Sequence, residues 1–120
     1  MKASAVASLF AALLSATPIA PATAQSPYDG PWSLTFVTQQ GACDPTYHFE
    51  VNISNGIVSH PNLRRFRGRV TPGGSVHASV SVEGKQAAGS GRLTNSSGRG
   101  TWSGRAGNER CSGYWTARRF

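Results

Sequence analysis

The feature that most constrains this chain is a series of short segments in which apolar and polar residues alternate, each ending at turn-forming residues. In the clearest segment, apolar residues at 76, 78, 80 and 82 alternate with polar ones between 75 and 83. A period of two residues is typical of a β-strand with one buried face. No stretch beyond residue 24 carries a helical apolar repeat bounded by caps. The sequence therefore predicts an all-β fold.

Turn residues divide this region into eight predicted strands. They lie near residues 32–36, 47–53, 57–60, 65–71, 75–83, 87–94, 99–104 and 111–118. Asn55-Gly56 is the strongest hairpin signal, because a type I′ turn requires positive φ at both central residues. Short antiparallel strands with one apolar face each can bury that face by closing on themselves. We predict a small antiparallel up-and-down β-barrel of about eight strands, with a two-sheet sandwich as the alternative.

The first segment has the pattern of a signal peptide. Lys2 precedes an apolar run, residues 5–14, that is too short to cross a bilayer, and Ala22-Thr23-Ala24 places small residues at a cleavage site. We predict a signal peptide over residues 1–24 and a single domain over residues 25–120. The protein is then expected to be exported, periplasmic or extracellular, of bacterial type, monomeric and without a membrane span.

Cys43 and Cys111 are the only cysteines. In an exported chain an even count indicates a disulfide, and only one pairing is available. In an up-and-down barrel the end of strand one lies beside the start of strand eight, which is where these two residues fall. The disulfide would close a long loop, so it is expected to contribute about 4 kcal/mol to the free energy of unfolding. The alternative, two free thiols or half of a metal site, lacks a C-x-x-C partner, so neither a metal site nor a cofactor is predicted.

The same strand pairing brings Trp32, at the start of strand one, beside Arg118, where a guanidinium can cover the indole ring. Gly30-Pro31-Trp32 with an arginine on the last strand resembles the G-x-W…Arg closure of the calycin superfamily, which includes lipocalins, fatty-acid-binding proteins, avidins and a bacterial metalloprotease-inhibitor family. The resemblance implies that Gly30, Trp32 and Arg118 have a structural role. It also implies one hypothesis of function, a small-ligand-binding or protease-inhibitor barrel.

The last two predicted strands also resemble the ending of small uncharacterised exported bacterial proteins. The matching residues are Gly100, Trp102, Cys111-Ser112-Gly113, Trp115, Ala117 and Arg118. Trp102 and Trp115 are expected to fill the barrel interior.

Charge supports a second hypothesis of function. Twelve basic residues oppose five acidic ones for a net charge of +7. Apart from Lys2 and Lys85, every basic residue is an arginine. Such a balance favours polyanionic partners.

The arginines concentrate on predicted strand four. Alternation places Arg65, Arg67 and Arg69 on its solvent face, beside His77 of strand five, and Arg92 and Arg99 widen the patch. Guanidiniums about 7 Å apart along a strand form a rigid row, and arginine suits bidentate contact with phosphate or carboxylate. We therefore predict an exported, non-catalytic binding module for an anionic envelope polymer or an acidic protein surface. The alternative is a solvated face that only protects the barrel from aggregation.

Other classes of function have less support in the sequence. A nucleic-acid site would place exposed aromatic residues between the arginines, and Phe66, the one aromatic residue there, is expected to face inward. No G-x-S-x-G, H-E-x-x-H or P-loop motif occurs. His48 and Glu50 share one face of strand two, whereas His60 points to the other face. We therefore predict no catalytic residue and no enzyme activity.

Overall fold

The structure is a computed structural model that describes residues 26–120, and the predicted signal peptide lies outside them. The strands are β1 (Gly30–Gln40), β2 (Thr46–Ser54), β3 (Ile57–Ser59), β4 (Arg67–Val70), β5 (Ser75–Val82), β6 (Lys85–Leu93), β7 (Ser97–Ala106) and β8 (Glu109–Arg119). They form a closed barrel in sequence order, with β8 returning antiparallel to β1. The prediction of an eight-stranded up-and-down barrel is confirmed. Within the described residues, no helix has the length and apolarity needed to cross a membrane.

The strand lengths differ from the predicted ones in a systematic way. β7 and β8 extend further at both ends than the patterns indicated, whereas β3 and β4 are shorter. β4 begins at Arg67, so the placement of Arg65 on this strand is wrong. The Phe66 amide donates to the Leu63 carbonyl oxygen at 3.1 Å, which closes a turn and keeps Arg65 out of the ladder.

The hairpin turns follow their sequence signals. Asn55 and Gly56 have φ values of 53° and 78°, as a type I′ turn requires. Glu83 and Gly84 between β5 and β6 repeat the pattern, with 45° and 80°. Each two-residue turn fixes the register of its strands. The register in turn determines which side chains of the hairpin point inward and which point outward.

Three tryptophans fill the interior, as expected for Trp102 and Trp115. Each indole N–H donates to a backbone carbonyl oxygen, which removes the cost of burying a polar group. The acceptors for Trp32, Trp102 and Trp115 are Tyr28 at 2.8 Å, Val37 at 3.1 Å and Ser90 at 3.1 Å.

Glycines on β6 and β7 make room for the Trp115 side chain. A Cβ added at Gly91 or Gly100 would lie 2.6 Å from atoms of the Trp115 ring. These glycines therefore allow the indole to lie directly against the backbone of β7, which pairs with β8, and of β6 beyond it.

Arg119 closes one end of the seam between β1 and β8. Its guanidinium carbon lies 4.8 Å from the centroid of the Trp32 ring, and Trp32 itself is 0% exposed. The guanidinium also donates to the carbonyl oxygens of Asp29, Pro27 and Asn95. One side chain thus joins the segment before β1, the β6–β7 connection and the indole.

The assignment of Arg118 to this contact is wrong. Arg118 is exposed and lies opposite Ser33 of β1, whereas Arg119 is the residue opposite Trp32. Alternation from Trp115 and Ala117, both buried, sends Arg119 inward and Arg118 outward. Gly30 and Trp32 keep their predicted places at the start of β1, and Gly30 adopts a φ of 123° beside Arg119.

A disulfide joins the other end of the same seam. Cys43 and Cys111 are bonded, with their Cα atoms 6.0 Å apart, so the predicted pairing is confirmed. Gly41 makes the approach possible, because a Cβ there would lie 2.2 Å from the Arg110 carbonyl oxygen. A disulfide is compatible with an oxidising compartment.

Arg119→Ala should lower the free energy of unfolding by about 2–4 kcal/mol, because it removes a cation–π contact and charge-assisted hydrogen bonds together. Urea unfolding followed by tryptophan fluorescence measures this. The neighbouring Arg118→Ala is the matched control and should change stability by less than about 0.5 kcal/mol. Equal losses in the two variants would contradict the assignment of the closure to Arg119.

Gly100→Ala should destabilise the barrel by about 1–3 kcal/mol, since the added methyl group must displace Trp115 or the backbone. Gly73→Ala provides the control, because a Cβ there meets only Thr71 Oγ1 at 3.9 Å. Differential scanning calorimetry of both variants gives the comparison. A Gly100 variant as stable as the Gly73 variant would rule out tight packing at this position.

Candidate anion-binding site

The outward side chains of β5 to β8 form a regular array, here called the outer face. Because every strand pair is in register, four rows of residues run across these strands. The first row is Ser75, Arg92, Arg99 and Thr116, and the second is His77, Ser90, Thr101 and Tyr114. The third is Ser79, Ala88, Ser103 and Ser112, and the fourth is Ser81, Gln86, Arg105 and Arg110. The middle rows are mostly short hydroxyl side chains, and arginines lie in the outer rows.

The arginines of the outer rows face each other in pairs. Arg92 lies directly opposite Arg99, and Arg105 lies directly opposite Arg110. Cross-strand partners have Cβ atoms about 4.5–5.5 Å apart, and like charges at this distance destabilise a sheet. All four are exposed. Each pair therefore concentrates positive charge at a cost that a bound anion would remove.

Two adjoining open clefts cover this face. One, of about 1010 Å³, lies over the third and fourth rows and includes Arg105 and Arg110. The other, of about 790 Å³, lies over the first and second rows and includes Arg92 and Arg99. They adjoin because the second and third rows are successive outward positions of the same strands.

The predicted site residues lie along one margin of this face, or on it. Arg67 is opposite Ser79 and Arg69 is opposite His77, as expected. Arg65 borders the larger cleft together with Arg67, although it does so from the turn before β4. Arg92 lies in the first row, and its guanidinium donates to the Gly73 carbonyl oxygen at 3.3 Å. Of the predicted residues, Arg65 and Arg67 thus line the larger cleft and His77 and Arg92 the smaller one, whereas Arg69 lines neither.

The carboxylates of the protein lie elsewhere. Asp29 precedes β1, Asp44 is in the β1–β2 connection, Glu50 is on β2, Glu83 is in the β5–β6 turn, and Glu109 begins β8. Glu109 alternates to the face opposite that of Arg110. The arginines of the outer face therefore have no carboxylate among them in either cleft lining.

Arg105 and Arg110 were missed by the sequence reasoning. The signal was present, because Gly107-Asn108 forms a two-residue turn between Ala106 and Glu109. Gly107 has a φ of 63°, and glycine with positive φ at the first central position is typical of a type II′ hairpin. That turn alone places Arg105 opposite Arg110.

The interior offers much less space than the outer face. It holds a cavity of about 60 Å³ with an apolar lining that includes Trp32, Trp115, Ala78 and Ala87. Pockets for drug-sized ligands usually have volumes of about 300–1,000 Å³. The tryptophans occupy the room that a ligand of that size would need.

The histidines lie apart from one another. His48 is exposed and its Nδ1 is 3.2 Å from the Thr35 hydroxyl oxygen. His60 packs against Phe49 and Phe66, with ring centroids 6.0 Å and 6.2 Å away, at the end of the barrel that holds the disulfide. No group of three or more potential metal-binding side chains occurs within residues 26–120.

Comparison of the chain with protein-family models, with curated proteins and with solved structures finds no match. A small barrel supports many unrelated functions, so function has to be argued from the chemistry of the outer face.

Replacing one arginine of each facing pair should stabilise the protein. Arg99→Gln and Arg105→Gln are each expected to raise the free energy of unfolding by about 0.2–1 kcal/mol at low ionic strength, because each relieves a cross-strand repulsion. In about 1 M salt the gain should vanish, since the Debye length there is only about 3 Å. Urea titrations at both ionic strengths measure it.

Arg118→Gln is the control for this prediction, because Arg118 faces the uncharged Ser33 and Ser97. It should show no salt-dependent gain. A loss of stability in the Arg99 and Arg105 variants would mean that the facing guanidiniums do not repel each other.

Proposed function

We propose that this protein is a non-catalytic binding module that holds an anionic polymer against the outer face of β5 to β8. The observation that carries the proposal is the arrangement of Arg92 opposite Arg99 and of Arg105 opposite Arg110. A surface that served only solubility would intersperse both signs of charge. Two facing pairs of like charge instead favour a ligand that supplies the opposite charge.

The spacing of the pairs supports a polymer over a single small anion. Arg105 lies six positions after Arg99 on β7, which is about 20 Å at the usual rise of a strand. Arg67 and Arg69 extend the positive surface onto β4. One chain with repeated charges can neutralise all of these groups together, and the effective concentration at the second site is raised by binding at the first.

An acidic protein surface is a less suitable partner. Stable protein interfaces usually depend on apolar or aromatic anchors buried in a pocket. Between residues 26 and 120, the exposed large hydrophobic residues are Ile57, Val82, Tyr114 and Phe120, and of these Tyr114 alone lies in a cleft lining. The outer face therefore suits a hydrated, charged polymer better.

The compartment is part of the proposal. The signal-peptide pattern of residues 1–24 and the disulfide both support export into an oxidising space. In that setting, the polymers of the cell envelope are the available polyanions. The small-ligand form of the calycin-like alternative has less support, because its ligand would have to fit an interior cavity of about 60 Å³.

Binding of fluorescently labelled polygalacturonate and poly-glutamate tests the proposal. At least one of these carboxylate polymers should bind, and its affinity should fall tenfold or more between about 50 and 200 mM NaCl because counterions are released from the complex. Fluorescence anisotropy at several salt concentrations gives the slope.

A pair of variants with equal charge locates the site. Arg99→Gln/Arg105→Gln removes one arginine from each facing pair and should weaken binding at least tenfold. Arg118→Gln/Lys85→Gln removes two charges that are outside both cleft linings and should change binding less than twofold. Equal effects of the two double variants would mean that net charge alone drives binding. Absence of binding by both polymers would overturn the proposed function.

A further inference from the structure

The rows between the arginine pairs carry a second kind of chemistry. Five serine and threonine side chains lie in the second and third rows of the outer face. Ser112 is engaged with Gln40. The other four, Ser79, Ser90, Thr101 and Ser103, are exposed, and their hydroxyls have no hydrogen-bond partner within residues 26–120. Each can both donate and accept a hydrogen bond.

An aromatic side chain lies at the edge of these hydroxyls. Tyr114 is opposite Thr101, borders the smaller cleft and is 40% exposed. A tyrosine ring presents an apolar face together with a polar hydroxyl. Such a surface suits a ligand that also has apolar C–H faces and polar edges.

Each class of polyanion binds best to a surface with particular features. A single-stranded nucleic acid favours a groove in which several aromatic side chains alternate with basic ones. The aromatic side chains in the cleft linings are His77, Tyr114 and the inward-facing Trp115, all in the smaller cleft, whereas the lining of the larger cleft, with Arg105 and Arg110, has none. An extended acidic peptide binds most directly by adding a strand to a free sheet edge, but β6, β7 and β8 each have a partner on both sides.

An acidic polysaccharide carries chemical groups complementary to those of the outer face. Its hydroxyl groups can form hydrogen bonds with the free serine and threonine hydroxyls, and its sugar rings can pack against the ring of Tyr114. Its carboxylates match guanidiniums, which bind such groups bidentately. We propose that the outer face of β5 to β8 binds a linear acidic polysaccharide, with the arginine pairs holding carboxylates and the middle rows holding the sugar hydroxyls between them. This inference rests on the proposed function and specifies the class of polymer.

The test compares two polymers that carry the same anionic group. Polygalacturonate has carboxylates on hydroxylated sugar rings, whereas poly-glutamate has carboxylates and no hydroxyl groups. At equal ionic strength and matched numbers of carboxylates, polygalacturonate should bind at least tenfold more tightly. Single-stranded DNA serves as the third probe and should bind more weakly than polygalacturonate.

A variant without the hydroxyls isolates their contribution. Ser79→Ala/Ser90→Ala/Thr101→Val/Ser103→Ala leaves every charge in place, and the valine keeps the β-branched shape of threonine. It should weaken polygalacturonate binding at least tenfold and change poly-glutamate binding less than twofold. Tyr114→Leu, which keeps apolar bulk, is an independent second variant and should reduce polygalacturonate binding selectively. Near-ultraviolet circular dichroism confirms that each variant is folded.

The outcomes separate this inference from the proposed function. Equal binding of polygalacturonate and poly-glutamate, unchanged in both variants but lost in Arg99→Gln/Arg105→Gln, would retain the anionic-polymer function and overturn the polysaccharide assignment. Tighter binding of single-stranded DNA would assign the face to nucleic acid instead. No binding of any probe would overturn both.

Discussion

The contact between Trp32 and Arg119 holds the barrel closed. Arg119 covers the fully buried Trp32 at the end of the barrel where β1 begins and β8 ends. The disulfide between Cys43 and Cys111 holds the opposite end of the same seam. With β1 fixed to β8 at both ends, the sheet has no free terminal strand, which removes the edges that would otherwise pair with other chains. Closure also fixes which side chains face inward on every strand.

The division between interior and exterior follows from this closure. Inward positions of β6 and β7 include Gly91 and Gly100, because Trp115 fills the space beside them. Outward positions of the same strands include the short hydroxyl residues of the middle rows, and their arginines are confined to the two outer rows. A barrel filled by tryptophans leaves little room for a ligand inside. Most of the polar and charged side chains of the barrel therefore lie on its outside.

The arginine pairs that lie opposite each other lower the stability of the folded barrel. Like charges directly opposite each other weaken strand pairing. The closed sheet makes this cost tolerable, because pairing on both sides of β6, β7 and β8 holds the strands in place. In the proposed binding mode, the same rigidity sets the spacing of the arginine Cα atoms in advance, which reduces the backbone entropy lost on binding.

Features that depend on local physics are predictable from the sequence. Period-two alternation indicates the strands, Asn55-Gly56 indicates a hairpin, and two cysteines allow only one disulfide. Features that depend on register between distant segments are visible only in the folded barrel. Arg119 rather than Arg118 meets Trp32, because a shift of one residue in β8 exchanges its two faces. Arg65 lies in a turn, because Phe66 and Leu63 close the chain before β4 begins. The alignment of Arg92, Arg99, Arg105 and Arg110 across one face arises only when three strands pair in register, and no single segment of the sequence contains it.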